Sequence, residues 1–278
     1  MKPGDAPIAA MPAELKRCCA NLYESDLAKL LLGDSFHPGG LRLTERLGQL
    51  MQLRGESRVL DVASGRGTSA LFLAERFGCE VVGLDYGAQN VDQANNAAAA
   101  SGLSGRVRFE KADAESLPFP DASFDAVICE CAFCTFPDKS RAAHEFARVL
   151  RSTGRVGISD LTRAAELPKE LEGLLAWIIC IADAQPRESC VELFRSAGLR
   201  PQAPESHDDA LIEMVRQVQG RLLGIEVMSG LKKIKVVGLD LTGAKQMANA
   251  TLAAVKQGQL GYAIVTAEKY DVRGIERQ

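Results

Sequence analysis

Val59-Leu60-Asp61-Val62-Ala63-Ser64-Gly65-Arg66-Gly67 decides how the rest of this chain is read. Apolar residues around one aspartate suit a short buried strand, which breaks into two glycines before a helical pattern begins at Thr68. Further on, Val81-Val82-Gly83-Leu84-Asp85 reads as the next strand, closing on a carboxylate. Strand, glycine turn, helix and acid-terminated strand are how an α/β sheet builds a nucleotide crevice at the carboxyl ends of its strands.

The turn narrows the choice of nucleotide. Gly65 and Gly67 let the main chain approach a ligand closely. A helix over about 68–77 opens there with amides free to meet polar groups. A dinucleotide fingerprint asks for three glycines as G-x-G-x-x-G; here Ser64-Gly65-Arg66-Gly67-Thr68-Ser69-Ala70 ends in alanine. Asp61, inside the strand and ahead of the glycines, is what separates the readings. It is placed to neutralise a sulfonium and its amino acid, while Asp85 is placed to accept ribose hydroxyls. S-adenosylmethionine (SAM) is therefore expected over NAD, with binding competition to tell them apart, and methyl transfer is the expected chemistry.

Composition sets the outer bounds. The chain has 278 residues, 46% hydrophobic, enough for one sizeable core. A formal net charge of -3 gives no basic field for nucleic acid, so a small-molecule methyl acceptor is the expected partner. Residues 1–12 hold no signal-peptide core, and the apolar run over 174–182 is too short to span a bilayer. A cytoplasmic location without a membrane span follows as an expectation. In a reducing cytosol the eight cysteines are not a disulfide framework, and Cys79 and Cys190 are expected as core thiols.

Periodicity gives the organisation. Residues 1–12 are expected as a flexible leader and 13–278 as one domain. Its parts are a helical arm over 13–54, a SAM-binding core over 55–206, a helical lid insertion over 207–258 and a final strand over 259–270. Leu15, Cys19, Leu22, Leu27 and Leu30 recur at helical intervals, and Gly33 to Gly40 breaks that helix. Strands near 58–62, 80–84, 106–110, 126–129 and 155–159 alternate with helices. The expected fold is α/β, a Rossmann-like, doubly wound, seven-stranded and mostly parallel sheet with N-terminal helices.

Together these residues resemble class I SAM-dependent methyltransferases of the small-molecule, UbiE-like type. The resemblance rests on VLDVASGRG, Asp85, Asp113-Ala114-Glu115 with Leu117-Pro118-Phe119, Ser123-Phe124-Asp125-Ala126-Val127, and Glu145 with Arg148-Val149-Leu150. Thr153-Gly154 stands where the family has Pro-Gly-Gly. The resemblance implies that Asp61, Ala63, Ser64, Gly65 and Gly67 hold the methionine end of SAM, and Asp85 and Tyr86 the ribose side. It places adenine against Asp113 and Ala114, and Glu130 at the reaction centre. Gly33 to Gly40 also resembles the closing loop of phosphoethanolamine and sterol methyltransferases, which implies cofactor contacts for Ser35, Gly39 and Gly40. His37, one of three histidines, is a candidate general base, with a structural role the alternative.

Cys129-Glu130-Cys131-Ala132-Phe133-Cys134 straddles the end of the fourth strand. No second ligand pair accompanies these thiols, so no metal is assigned. Strand alternation predicts that Cys129 and Cys131 point the same way. Cys131 precedes Pro137-Asp138-Lys139 at the interval found in arsenite methyltransferases, which implies Cys131, Cys134 and Cys180 as substrate thiols suited to a soft trivalent arsenic. Three functions stay open: methyl transfer to a small acceptor with S-adenosylhomocysteine (SAH) as product, arsenite methylation, and a SAM-binding sensor or scaffold without turnover.

Overall fold

A computed structural model describes residues 12–24, 30–33, 36–171, 181, 183–230 and 240–270 of the chain. Ser35 and Cys180 lie outside the described residues. Helix α1 (Pro12–Glu24) and α2 (Gly40–Leu50) precede β1 (Arg58–Val62), α3 (Thr68–Phe77), β2 (Glu80–Asp85), α4 (Ala88–Ala100) and β3 (Val107–Lys111). Then come β4 (Phe124–Glu130), a 3-10 turn over Phe133–Thr135, α5 (Lys139–Val149) and β5 (Leu150–Arg163). Beyond them lie α6 (Arg187–Ser196), β6 (Leu199–Pro201), β7 (Glu205–Ser206), α7 (Asp208–Gly230), α8 (Leu241–Lys256) and β8 (Leu260–Lys269).

One mixed sheet runs β3-β2-β1-β4-β5-β8-β6, with β7 pairing β8. The first five strands in that order are mutually parallel, and β8 is antiparallel to β5, β6 and β7. The sheet holds eight strands, not the expected seven. The ten-residue β8 is long enough for two partners on one edge: β6 pairs with 267–269 and the two-residue β7 with 263–264. A strand of two residues carries no alternation for sequence reasoning to detect.

Alternation along the strands sorts the core into two layers. Val59, Val81 and Ile128 pack on one face with Leu47, Leu73 and Tyr262. Leu60, Val82 and Val127 pack on the other with Phe133, Phe146 and Phe194. Asp61 shares the Val59 face, opposite Gly83 of β2 and Ile128 of β4 in register. A carboxylate at the end of the central strand is thereby buried between two neighbours, at the edge where β1 gives way to the glycine turn. Among the described residues no helix is long and apolar enough to cross a membrane.

Gly67 shows why this turn tolerates little change. Its φ is +82°, and a Cβ there meets the Phe109 ring at 2.4 Å. Gly67→Ala is expected to destabilise the fold by about 1–3 kcal/mol through strain and overpacking. Urea unfolding checks this; an unchanged midpoint sinks it.

Candidate active site

The chain leaves β1 through Ala63, Gly65 and Gly67, all with positive φ (58°, 54° and 82°). Ser64 N donates to Leu84 O at 2.9 Å, tying the turn to β2. Asp85 closes it from that side. Its Oδ2 accepts from Gly65 N at 2.8 Å, and its Oδ1 from Gly87 N at 2.8 Å and Asn90 Nδ2 at 3.2 Å. Burial pushes the Asp85 carboxyl pKa up, against the pull of these donors.

Asp61 is the contrasting carboxylate. It is 2% exposed, and its Oδ2 is buried without a hydrogen-bond partner among the described residues. Burial, then the charges of Glu130 and Asp85, push its pKa well above the usual carboxylate range. A buried orphan acceptor in a negatively charged cavity wall is unfavourable until a cation meets it. The residues present therefore fit a cationic ligand such as a sulfonium amino acid.

At the end of β4 the site gathers a cluster of polar side chains. Thr44 Oγ1, on α2, is within hydrogen-bonding distance of Glu130 Oε1 and Oε2, at 3.2 and 3.1 Å. His37 Nε2 stands 3.5 Å from Glu130 Oε2, 3.3 Å from Thr44 Oγ1 and 3.4 Å from Ser69 Oγ. His37 Nδ1 lies 3.3 Å from Pro38 O, which only accepts, so the ring donates there. Glu130 and His37 are both buried, with side chains 4% and 7% exposed.

The next residue departs from the strand. Cys131 takes a left-handed φ of 52° and donates its N–H to Ser159 O at 2.7 Å. That geometry overturns the expected common orientation of Cys129 and Cys131. Cys129 packs in the layer with Phe133, whereas Cys131 packs against the opposite layer and lines the cavity. Ser159 O also accepts from Tyr262 Oη at 3.0 Å, and Cys134 N donates to Asp160 Oδ2 at 2.9 Å, so β5 holds this segment firmly.

Of the residues singled out in the sequence, one cavity gathers His37, Asp61, Ala63, Ser64, Gly65, Asp85, Tyr86, Asp113, Ala114, Glu130 and Cys131. Gly39, Gly40, Gly67 and Cys134 are not in its wall; Gly39 and Gly67 shape turns, and Cys134 is buried in the core. Sequence reasoning reached Cys19 on α1 but missed the rest of the wall that helix supplies, where Lys16, Ala20 and Tyr23 face the cavity. It also missed Thr44 and Asn90, which belong to no motif, and gave no role to Phe36 or Ser69 within theirs. Arg66, unusual in such a turn, bridges the two halves: Nη2 donates to Glu24 O at 3.2 Å, and the guanidinium lies 5.7 Å from the Phe36 ring centroid.

Residues 59–154 match the family described as methyltransferase domain. Over 268 residues the chain is 28% identical to the 27-O-demethylrifamycin SV methyltransferase of Amycolatopsis mediterranei (strain S699), spanning 89% of this chain and 94% of that protein. A stretch of 100 residues, 36% of this chain and 41% of the other, is 48% identical to the demethylmenaquinone methyltransferase of Deinococcus radiodurans. Among solved structures, Haemonchus contortus phosphoethanolamine N-methyltransferase 2 in complex with S-adenosyl-L-methionine superposes with a TM-score of 0.78. That likeness covers 92% of this chain and 60% of the other at 18% identity, and it speaks for the fold.

Proposed function

We infer that this chain, a SAM-dependent methyltransferase, methylates a hydroxyl of a small molecule and passes the hydroxyl proton to the Glu130–His37 pair. The observation that carries the reading is that pair itself, a buried carboxylate and imidazole 3.5 Å apart in the cavity wall. The relative matched along nearly its whole length, named for an O-demethylated compound, favours oxygen as the acceptor atom.

When bound, SAM supplies a methyl carbon that bonds to the acceptor as its bond to sulfur breaks. Asp61 then meets the cationic end, and Ala63, Ser64 and Gly65 cradle the amino acid. Asp85 takes the ribose hydroxyls beside Tyr86 and Asn90. Asp113 and Ala114 face the adenine. Glu130 accepts the hydroxyl proton, and His37 Nε2, 3.5 Å away, is placed to take it on from there. Thr44 holds the carboxylate in place. Phe36 and His37 border the cavity, and Arg221 Nη1 of α7 donates to Leu31 O at 2.7 Å.

The thiol-clamped arsenic reading is not adopted. Of its three thiols, Cys131 lines the cavity, Cys134 is buried away from it, and Cys180 lies outside the described residues. The reading without turnover is not adopted either, given the methyltransferase matches along the chain.

A panel of phenols, hydroquinones, aliphatic alcohols, amines and arsenite, each incubated with protein and SAM, tests the proposal by SAH release. SAH is expected with a hydroxyl compound. Turnover confined to amines or arsenite would falsify the hydroxyl assignment, and SAM binding without SAH from any acceptor would restore the sensor reading.

A further inference from the structure

The wall formed by α1 contains an ion cluster that the reaction scheme leaves unused. Lys16 Nζ donates to both oxygens of Asp113, at 2.9 and 2.8 Å, and to Glu115 Oε2 at 2.6 Å. The Lys16 and Glu115 side chains are 13% and 10% exposed. Burial works against the Lys16 charge, yet the bonds to Asp113 and Glu115 outweigh it and raise the ammonium pKa. Glu115 is itself held, because its Oε1 accepts from Asp138 N at 2.9 Å.

A carboxylate offers about four acceptor positions. On Asp113, Oδ1 accepts from Lys16 and from Glu115 N at 3.0 Å, and Oδ2 accepts from Lys16. One position on Oδ2 is left, and Asp113 lines the cavity. Charge-assisted bonds to a half-buried ammonium fix the plane of that carboxylate and keep it an acceptor.

We propose that Lys16 is a positioning residue for the nucleoside: it presents one oxygen of Asp113 to the exocyclic amine of a 6-aminopurine and so makes the site reject a 6-oxopurine. The inference rests on the placement of adenine at Asp113 given above. A fixed acceptor pairs with an amine but opposes a carbonyl, and sites built around one polar partner discriminate strongly against its absence. Lys16 is not the sole tether of α1. Glu24 O accepts from Arg66, and Glu24 Oε1 accepts from Gln89 N at 3.0 Å, so the far end of the helix stays docked when Lys16 is changed.

The test is calorimetric binding of SAH and of its 6-oxo analogue, S-inosylhomocysteine, to the full chain. The parent protein is expected to favour SAH by about tenfold or more, the size of one lost charge-assisted hydrogen bond. In Lys16→Met the SAH affinity falls by about tenfold while the 6-oxo ligand loses little, so the ratio collapses. Lys16→Arg, which keeps a donor and the charge, restores most of it. An equal loss for both ligands in Lys16→Met shows that the residue only straps the helix, and an unchanged ratio overturns the proposal outright. Asp113→Asn separates the layers. Its ratio collapses as well if adenine sits there, and an intact ratio removes that placement together with the role of Lys16. A parent protein that binds neither ligand refutes the SAM site itself.

Discussion

Asp61→Asn melts at a higher temperature than the parent protein when no SAM is present, and it no longer binds SAM with useful affinity. The two effects have one origin. The buried carboxylate has an oxygen unpartnered among the described residues and like-charged neighbours in Glu130 and Asp85. Replacing it with an amide of the same shape removes desolvation and repulsion, which stabilises the ligand-free fold by about 1–3 kcal/mol. The same change removes the partner of the ligand's cation, at a cost of about 100-fold or more in affinity.

Its sign with pH follows from linkage. The folded-state pKa lies above the unfolded value, so between the two the folded chain holds a proton that the unfolded chain has released. The contribution is fully present below the ordinary carboxylate range and is lost as pH rises through the raised value. Ligand-free parent protein therefore loses stability on alkalinisation from the acid side, and Asp61→Asn lacks that part of the loss. Scanning calorimetry across mildly acid to neutral pH, with and without SAM, measures the difference. A variant that melts lower at every pH, or that binds SAM as the parent does, refutes the assignment.

Glu130→Gln has the other large effect. The amide keeps the volume and can still accept from Thr44, but it cannot take a proton. Loss of a positioned base is expected to lower kcat by about 10²–10⁴-fold. The KM for SAM should move little, since Asp61 and Asp85 remain. Parental kcat, or a raised KM for SAM at unchanged kcat, removes Glu130 from the chemistry.

The part of the site that lies along the chain was readable from it. Asp61, the glycine turn and Asp85 are separated by one helix, and their convergence on one cavity follows from strand ends and turn chemistry. The wall made by α1 was not readable, because Lys16 meets Asp113 across 97 residues and no local pattern announces such a contact. The α1 sequence shows helical spacing but not what its polar face touches. Thr44 looked like an ordinary helix position for the same reason. Cys131 misled for a different one: alternation holds only while the strand lasts, and a left-handed residue ends it. The C-terminal extension of β5 and the two-residue β7 follow from pairing with β8, a tertiary effect on local propensity.

The position of β8 also governs when this molecule can become complete. It lies between β5 and β6 in the sheet but follows both in the chain, and Arg155 pairs with Glu268. During synthesis β1 to β5 emerge and can assemble while the outer side of β5 remains a bare edge of unpaired amides and carbonyls. Ser159, which steadies Cys131 from that strand, lacks Tyr262 throughout this interval. The growing chain is thus exposed to edge-to-edge association until residues 260–269 arrive. Such a chain completes its sheet only after β8 is translated, and fusions or truncations that delay β8 should favour aggregation over folding.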